Sequence, residues 1–412
     1  MSDTPAPAKV SMPNAPIYKF VVMCVIWSAL IMTENVSNIL LSITILDKFD
    51  LGADKLGLIL AINPAFGFIA QPIVGVLSDR IWTPVGRRAV FLILGAPIVA
   101  ICLYFVPLLN VLWHVVVIVV IYQFFQDVLW GSDHPLMADL FAPKQRVILA
   151  GFLAATGAIS GIIFLKWFMV HFEEATIYKA VAGMQIVMVS GAAFFLGEKK
   201  HTHKPPKINP WIYIRDVLGD RFIRRFAAVN FCKMVHIQII LGYVSAFAYK
   251  TMMISKAEFG ANWGYQPIIT LIMALPAAWI IERYFSKRWT LVGAYCLVMS
   301  GALFGLFANS PEDLITVAIL VGAGVVIDNV TLKPFSTEFL PREKIGQLTG
   351  ALNIFLALGR TAALAGGGAI IGFFGDNYRY IFVISIVLGI ISALIVTTIP
   401  DFRYQERKAA SS

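Results

Sequence analysis

Long apolar segments follow one another along this chain, parted by short polar breaks. A bilayer core about 30 Å thick takes about 20 residues of helix to cross. Segments of that length fall at 17–46, 55–77, 89–109, 112–141, 147–171, 177–197, 222–250, 258–281, 289–308, 313–340, 347–373 and 378–400. Backbone amides in lipid must bond within their own segment, so each run is read as a helix. Composition agrees: 58% of the 412 residues are hydrophobic and 14% charged, against about 25% charged in globular chains. The predicted fold is all-α, a polytopic membrane protein of twelve transmembrane helices. Pro64, Pro97, Pro135, Pro334 and Gly366 to Gly368 inside the runs suit membrane helices better than soluble ones.

Lysine and arginine sort by loop. With the N-terminus inside, the inner loops and tails hold 23 of them and the outer loops 6, namely Lys48, Lys55, Lys179, Lys250, Lys256 and Arg379. That bias predicts an integral protein of the cell (inner) membrane with both termini cytoplasmic. It also accounts for the net charge of +9 as topology and argues against a nucleic-acid partner. Residues 1–16 form a polar tail without the features of a cleavable signal. The only long connection, 198–220, divides a bundle at 17–197 from one at 221–400, with a second cytoplasmic tail at 401–412. His201 and His203 lie in this basic, proline-broken linker and read as solvated, so no metal is implied. Cys24, Cys102, Cys232 and Cys296 sit in apolar runs without CxxC spacing and read as free thiols.

The two halves repeat. HPLMADLFAPKQR, with Pro135, Asp139 and Pro143, returns about 199 residues later as KPFSTEFLPREK, with Pro334, Glu338 and Pro341. The polar break QPIVGVLSDRIWTPVGRR (Gln71 to Arg88) returns in weaker form as LPAAWIIERYFSKR, with Arg283, Lys287 and Arg288. Parallel repeats predict two pseudo-symmetric six-helix bundles, with a substrate site between them near the midplane and one bundle rocking against the other.

Ionisable groups in a bilayer cost several kcal/mol or more and mark interior paths. They are unevenly spread. Predicted helices 3, 6, 9 and 12 have none in their cores. Glu34 lies on helix 1, Asp127 and Asp133 on helix 4, Lys233 on helix 7, Asp328 and Lys333 on helix 10, Lys166 on helix 5 and Arg360 on helix 11. Helices 1, 4, 7 and 10 are therefore expected to line a cavity, and 3, 6, 9 and 12 to face lipid. Helical spacing puts Gln123, Asp127, Trp130 and His134 on one face, and Trp27, Glu34 and Asn38 on another. Lys233 and His236 lie one turn apart, and Asp328 adjoins Asn329. The expected substrate contacts are Trp27, Glu34, Asn38, Gln123, Asp127, Trp130, Lys233, His236, Asp328, Asn329 and Arg360. Asp127, Glu34 and Asp328 are candidates for proton coupling, since moving a cation past a buried carboxylate switches its protonation. The competing reading is that these charges neutralise one another as structural pairs. No nucleophile–base spacing or metal-ligand cluster points to an enzyme, and no cofactor is implied.

GVLSDRIWTPVGRR, from Gly75 to Arg88, resembles the loop 2–3 signature of the major facilitator superfamily. QPIVGVLSDR followed by GRRAVFLILGA, with Asp127 and PLMADL (Pro135 to Leu140) on helix 4, is similar to the sucrose-transporter type within the glycoside–cation symporters. The subgroup likeness covers residues 57–141. The resemblance implies alternating access and proton-driven symport of a mono- or disaccharide by a monomer, with Asp127 as proton acceptor and sugar contact. It further implies that Asp79 caps the start of helix 11, and that Arg80, with Arg87 or Arg88, bridges to Asp139 and locks the cytoplasmic side. Arg283 and Glu338 are the counterparts in the second half. The sequence departs from the pattern at Pro84, and at Trp130, Gly131 and Asp133, where the sugar carriers tend to have asparagines. Helix 2 has only Asn63 and Gln71 as polar core residues, which favours protons over the sodium of melibiose-type relatives. An efflux or organic-anion carrier of the same fold is the alternative, followed by a non-transporting sensor.

Overall fold

A computed structural model describes residues 14–78, 80–198, 219–339 and 345–401. Asp79, most of the linker and most of each tail lie outside the described residues. Twelve helical rods run through the rest: α1 (Ile17–Phe49), α2 (53–78), α3 (Ala89–Leu108), α4 (Leu112–Leu140), α5 (143–171), α6 (174–191), α7 (Arg221–Lys250), α8 (Lys256–Tyr284), α9 (Lys287–Phe307), α10 (Asp313–Thr337), α11 (345–373) and α12 (Tyr380–Thr397). Ten are long and apolar enough to cross a membrane. Of the other two, α2 is interrupted by a turn at Ala61 into pieces of 8 and 17 residues, and α6 carries Glu174, Lys179 and Gln185.

Boundaries move where caps overrule hydropathy. α5 begins at Pro143 rather than 147, because extended Ala142 places the proline at the first helical position, where its missing N–H costs nothing. α1 continues through Asp47 and Lys48 to Phe49 and stops where Asp50 turns left-handed. α7 starts on Asp220, whose carboxylate accepts from the amides of Phe222 (2.8 Å) and Ile223 (3.0 Å). α8 opens with a reciprocal Ser255–Glu258 capping box.

In the first bundle α4 packs on α2 and α3, α1 on α5, and α3 on α6; in the second α10 packs on α9 and α8, and α7 and α9 on α12. Leu94 and Ile101 of α3, Val187 of α6, Phe304 of α9 and Leu394 of α12 are exposed. That is the lipid-facing role expected of these helices. The bundles meet along α1–α7, α2–α11 and α5–α8. Loops 2–3, 4–5, 6–7, 8–9 and 10–11 mark what is here called the linker end. At the far end, direct polar links join the bundles: Ser42–Ser245 at 2.7 Å, Tyr249 donating to Asp47 at 2.5 Å, Lys250 with Asp50, and Lys256 on the carbonyl of Phe172. A Cβ at Gly57 would lie 2.5 Å from the Leu364 carbonyl and 3.0 Å from the Gly368 Cα, so α2 and α11 cross almost backbone to backbone there.

Candidate functional site: a polar cavity between the bundles

A cavity of about 530 Å³ lies between the bundles. α2 contributes Asn63, Pro64, Gly67 and Gln71, α4 contributes Asp127 and His134, α7 contributes Met234, and α11 contributes Asn353, Ile354, Leu356, Ala357 and Arg360. The sequence expectation of a cavity built by helices 1, 4, 7 and 10 is therefore corrected. α4 and α7 take part, but α2 and α11 supply most of the wall. A search for charge passes over them because their polar side chains here, Arg360 apart, are neutral amides.

Asp127 is the buried acid of this wall, with 4% of its surface exposed. Its Oδ1 accepts from Gln71 Nε2 at 2.9 Å, and its Oδ2 has no partner. One turn earlier on α4, Gln123 accepts from Asn63 at 3.0 Å. His134 has its Nδ1 2.9 Å from the Trp130 carbonyl. Only an N–H can bond there, which leaves Nε2 as an acceptor. Its ring stacks on Trp130 at 5.3 Å, and Trp27 closes on both rings edge-on, at 5.0 and 5.8 Å. The Trp27–Trp130 pair is thus an aromatic wall behind His134, with Trp130 itself buried.

Glu34 accepts from Asn38 at 3.1 Å and faces Arg360 of the other bundle at 3.8 Å. Arg360 also donates to Gln238 of α7 at 3.3 Å. A π-helical turn follows each member of this pair, at Val36–Leu40 in α1 and at Ala362–Gly366 in α11; such widened turns recur at functional sites.

Four expected contacts fall elsewhere. Lys233 pairs with Asp328, and Tyr295 donates to the other oxygen of Asp328 at 3.1 Å. Both charges are buried within the second bundle and neither lines the cavity. His236 is fully buried against α12, its Nδ1 at 2.7 Å from the Ser385 carbonyl. Asn329 is exposed and is not among the residues lining the cavity. Helical spacing put these residues at the right depth but could not tell a face turned to α9 and α12 from one turned to the cavity. Lys166 lies over the Tyr265 ring at 3.5 Å, a cation–π contact between bundles. Asp133 is wholly buried, and neither of its oxygens has a partner.

At the linker end, Arg87 and Arg88 reach Asp139 at 2.7 and 3.2 Å. The pairs lie within one bundle, however, so they brace it rather than bridge to the other. Arg80 is exposed. In the second bundle it is Lys287, not Arg283, that holds Glu338, at 2.7 Å. Arg283 lies over the Trp279 and Tyr284 rings instead. Two acids missed in the sequence complete the symmetry. Glu198 accepts the amides of Arg87 and Arg88 at the start of α3. Asp401 accepts from Ser286 at 2.7 Å at the start of α9. Each acid follows the last helix of its bundle, a position that signals nothing until the fold brings it back.

The Major Facilitator Superfamily family model matches residues 22–255 and 226–411. The chain belongs to the major facilitator superfamily. Relatives by sequence are distant. The "Multidrug resistance protein MdtH" of Aeromonas hydrophila is 23% identical over 57% of this chain and 59% of its own length. The "Inner membrane metabolite transport protein YgcS" of Escherichia coli is 24% identical over 40% of this chain and 38% of its own. The chain spans only about half of the length of the curated relatives it matches. Solved structures agree in fold. The nucleoside transporter NupG (D323A mutant) superposes with a TM-score of 0.73 at 11% identity, over 93% of this chain and 99% of that one. The transporter FucP in the outward conformation gives 0.62 at 17% identity, over 93% and 99%.

Proposed function

We propose that this chain is a transporter, a proton-coupled symporter that imports a small polyhydroxy solute, a mono- or disaccharide, in the manner of the sucrose-type glycoside–cation symporters. One observation carries the reading: Asp127 is buried on the cavity wall with one oxygen held and the other unpartnered. An unpaired charge in such a place is costly; a proton removes the charge, and a substrate hydroxyl satisfies what remains. The neutral amides of Asn63, Gln71 and Asn353 offer both donors and acceptors to further hydroxyls. Glu34 and Arg360, facing each other across the bundles, are the second charged element of the site. Lysine and arginine bias makes the linker end cytoplasmic. With the far end held by its inter-bundle links, the state described is the one that opens inward. The test is uptake of labelled sugars into proteoliposomes. An inward proton gradient drives accumulation by the parent, and Asp127→Asn loses accumulation but keeps sugar counterflow. Accumulation that ignores the gradient, or that survives Asp127→Asn, refutes the reading.

Arg360 favours a second reading, carriage or efflux of an organic anion. Its side chain is 37% exposed, and its partner Glu34 stands off at 3.8 Å. Relatives named for drug resistance and for metabolite transport leave both directions open. Thermal stabilisation by carboxylates but not by sugars would reverse the ranking.

A further inference from the structure

We propose that Gln71 is a positioning residue that makes the two oxygens of Asp127 unequal, fixing Oδ1 to α2 and leaving Oδ2 as the site where the proton comes and goes. The inference rests on the proton-coupled reading above. Gln71 Nε2 donates to Oδ1 at 2.9 Å, while Oδ2 is buried without a partner. Two glycines make that bond possible. A Cβ on Gly67, one turn before Gln71, would stand 3.2 Å from Oδ1 and 3.5 Å from the Gln71 nitrogen, crowding the bond. A Cβ on Gly131, one turn after Asp127, would stand 3.1 Å from the Gln71 Cα and push α2 away from α4. Gln71 therefore reaches the acid through a gap that two missing side chains keep open.

The chemistry follows from the donor. A carboxamide nitrogen can only donate, and its bond to an ionised oxygen is stronger than to a neutral one. Gln71 thus favours the ionised acid and leaves the far oxygen to take the proton. Among the described residues, the charged groups that act on this acid are Glu34 from α1 and Arg360 from α11, with the His134 ring on the same wall two turns along α4 and amides only from α2.

Infrared difference spectroscopy of the full chain in proteoliposomes tests this without any substrate. The carboxyl C=O band that Asp127→Asn removes is followed against pH. In Gln71→Leu its midpoint should move to higher pH by about one unit, a tenfold change in proton affinity. Gly67→Ala, which keeps the amide but crowds the bond, should move it the same way by less. Gln71→Asn, one methylene short, serves where the leucine variant does not fold, and should match Gln71→Leu. The pH profile of proton-driven uptake should move in parallel. A midpoint unmoved in Gln71→Leu and Gln71→Asn overturns the inference and leaves the proton-coupled reading standing. Absence of any Asp127-dependent band across the pH range removes both.

Discussion

α2 has no cap of its own. Gly52 precedes its first residue and offers no side chain, so the amide of Ala53 is given instead to Asp376 Oδ1, at 2.7 Å, from the loop between α11 and α12. A helix in one bundle is thereby capped by an acid in the other, and only while the far end is closed. An N-cap side chain is worth about 1 kcal/mol, within 0.5–2, and a charge at a helix start adds about 0.3–1 kcal/mol. Loss of this cap should therefore destabilise the closed far end by about 1–2 kcal/mol, a roughly 5–30-fold rise in the open-to-closed ratio. Asp376 sits at φ 58°, so alanine would add backbone strain and confuse the result. Glycine removes the cap and suits the backbone, while asparagine keeps the cap and tolerates the conformation. The measurement is the distance distribution between spin labels at Val111 and Phe307, one on each bundle at that end, with the native cysteines replaced. Asp376→Gly should enlarge the long-distance population by that factor, and Asp376→Asn, which keeps the hydrogen bond and loses only the charge, should shift it less, by about 0.3–1 kcal/mol. An unchanged distribution in Asp376→Gly, or a shift in Asp376→Asn as large as in the glycine variant, would falsify the argument.

Three further outcomes are expected. Gly57→Ala sets a methyl 2.5 Å from the Leu364 carbonyl and should bias the far end open, read as faster labelling of a cysteine placed there; Gly366→Ala, with nothing within 4 Å, should not. Lys233→Met leaves Asp328 buried and unpaired, which should cost about 3–5 kcal/mol and lower the unfolding temperature; the double change Lys233→Met with Asp328→Leu should recover most of it. Lys250, by hydrogen bond and by charge, holds the Asp50 carboxyl below its ordinary value in the closed state. The pair's contribution to closure is therefore present above the open-state value, near 3.9, and is lost as pH falls through the lower closed-state one. The spin-label distribution should broaden on acidification over that window, and Lys250→Met should abolish the response.

Legibility followed the physics of each feature. Membrane-spanning helices are written in runs of apolar residues, so all twelve were placed, with errors at ends such as Pro143 and Asp50 where caps decide. The N-terminal repeat and its arginines led to Asp139, because a charge at a fixed position after a helix keeps its meaning through the fold. An ionisable group inside an apolar run was legible as well, and Asp127 was among those it named. Azimuth was not. Lys233, His236 and Asp328 lie at cavity depth yet turn into their own bundle, and nothing in the spacing along one helix says which neighbour its polar face meets. Asn63 and Gln71, noted only as the polar residues of helix 2, and Asn353 were not expected at the site for the opposite reason, since a neutral amide in an apolar run is a weak signal. Their importance comes from what they touch.

The two ends of the molecule are organised differently, and this bears on how it must move. At the linker end, the pairs of Arg87 and Arg88 with Asp139, and of Lys287 with Glu338, stay inside one bundle, as do the acids Glu198 and Asp401 on the starts of α3 and α9. Such links are carried along when a bundle rocks as a rigid body, and they keep it rigid. At the far end, Ser42–Ser245, Asp47–Tyr249, Asp50–Lys250 and the Asp376 cap all cross between bundles and must break together for that end to open. Several are exposed at the surface, where an ion pair is worth about 0–1 kcal/mol, so the closed end is held by many small terms and by the glycine crossing of α2 on α11. A state held that way can be tipped by a change of a few kcal/mol at the cavity. The Glu34–Arg360 contact is placed to deliver one. It lies midway between the ends and joins the bundles, and it shares its cavity with Asp127. On the proton-coupled reading proposed above, a proton gained or lost at Asp127 would change how firmly Arg360 is drawn toward the first bundle, and through it how tightly the bundles hold together.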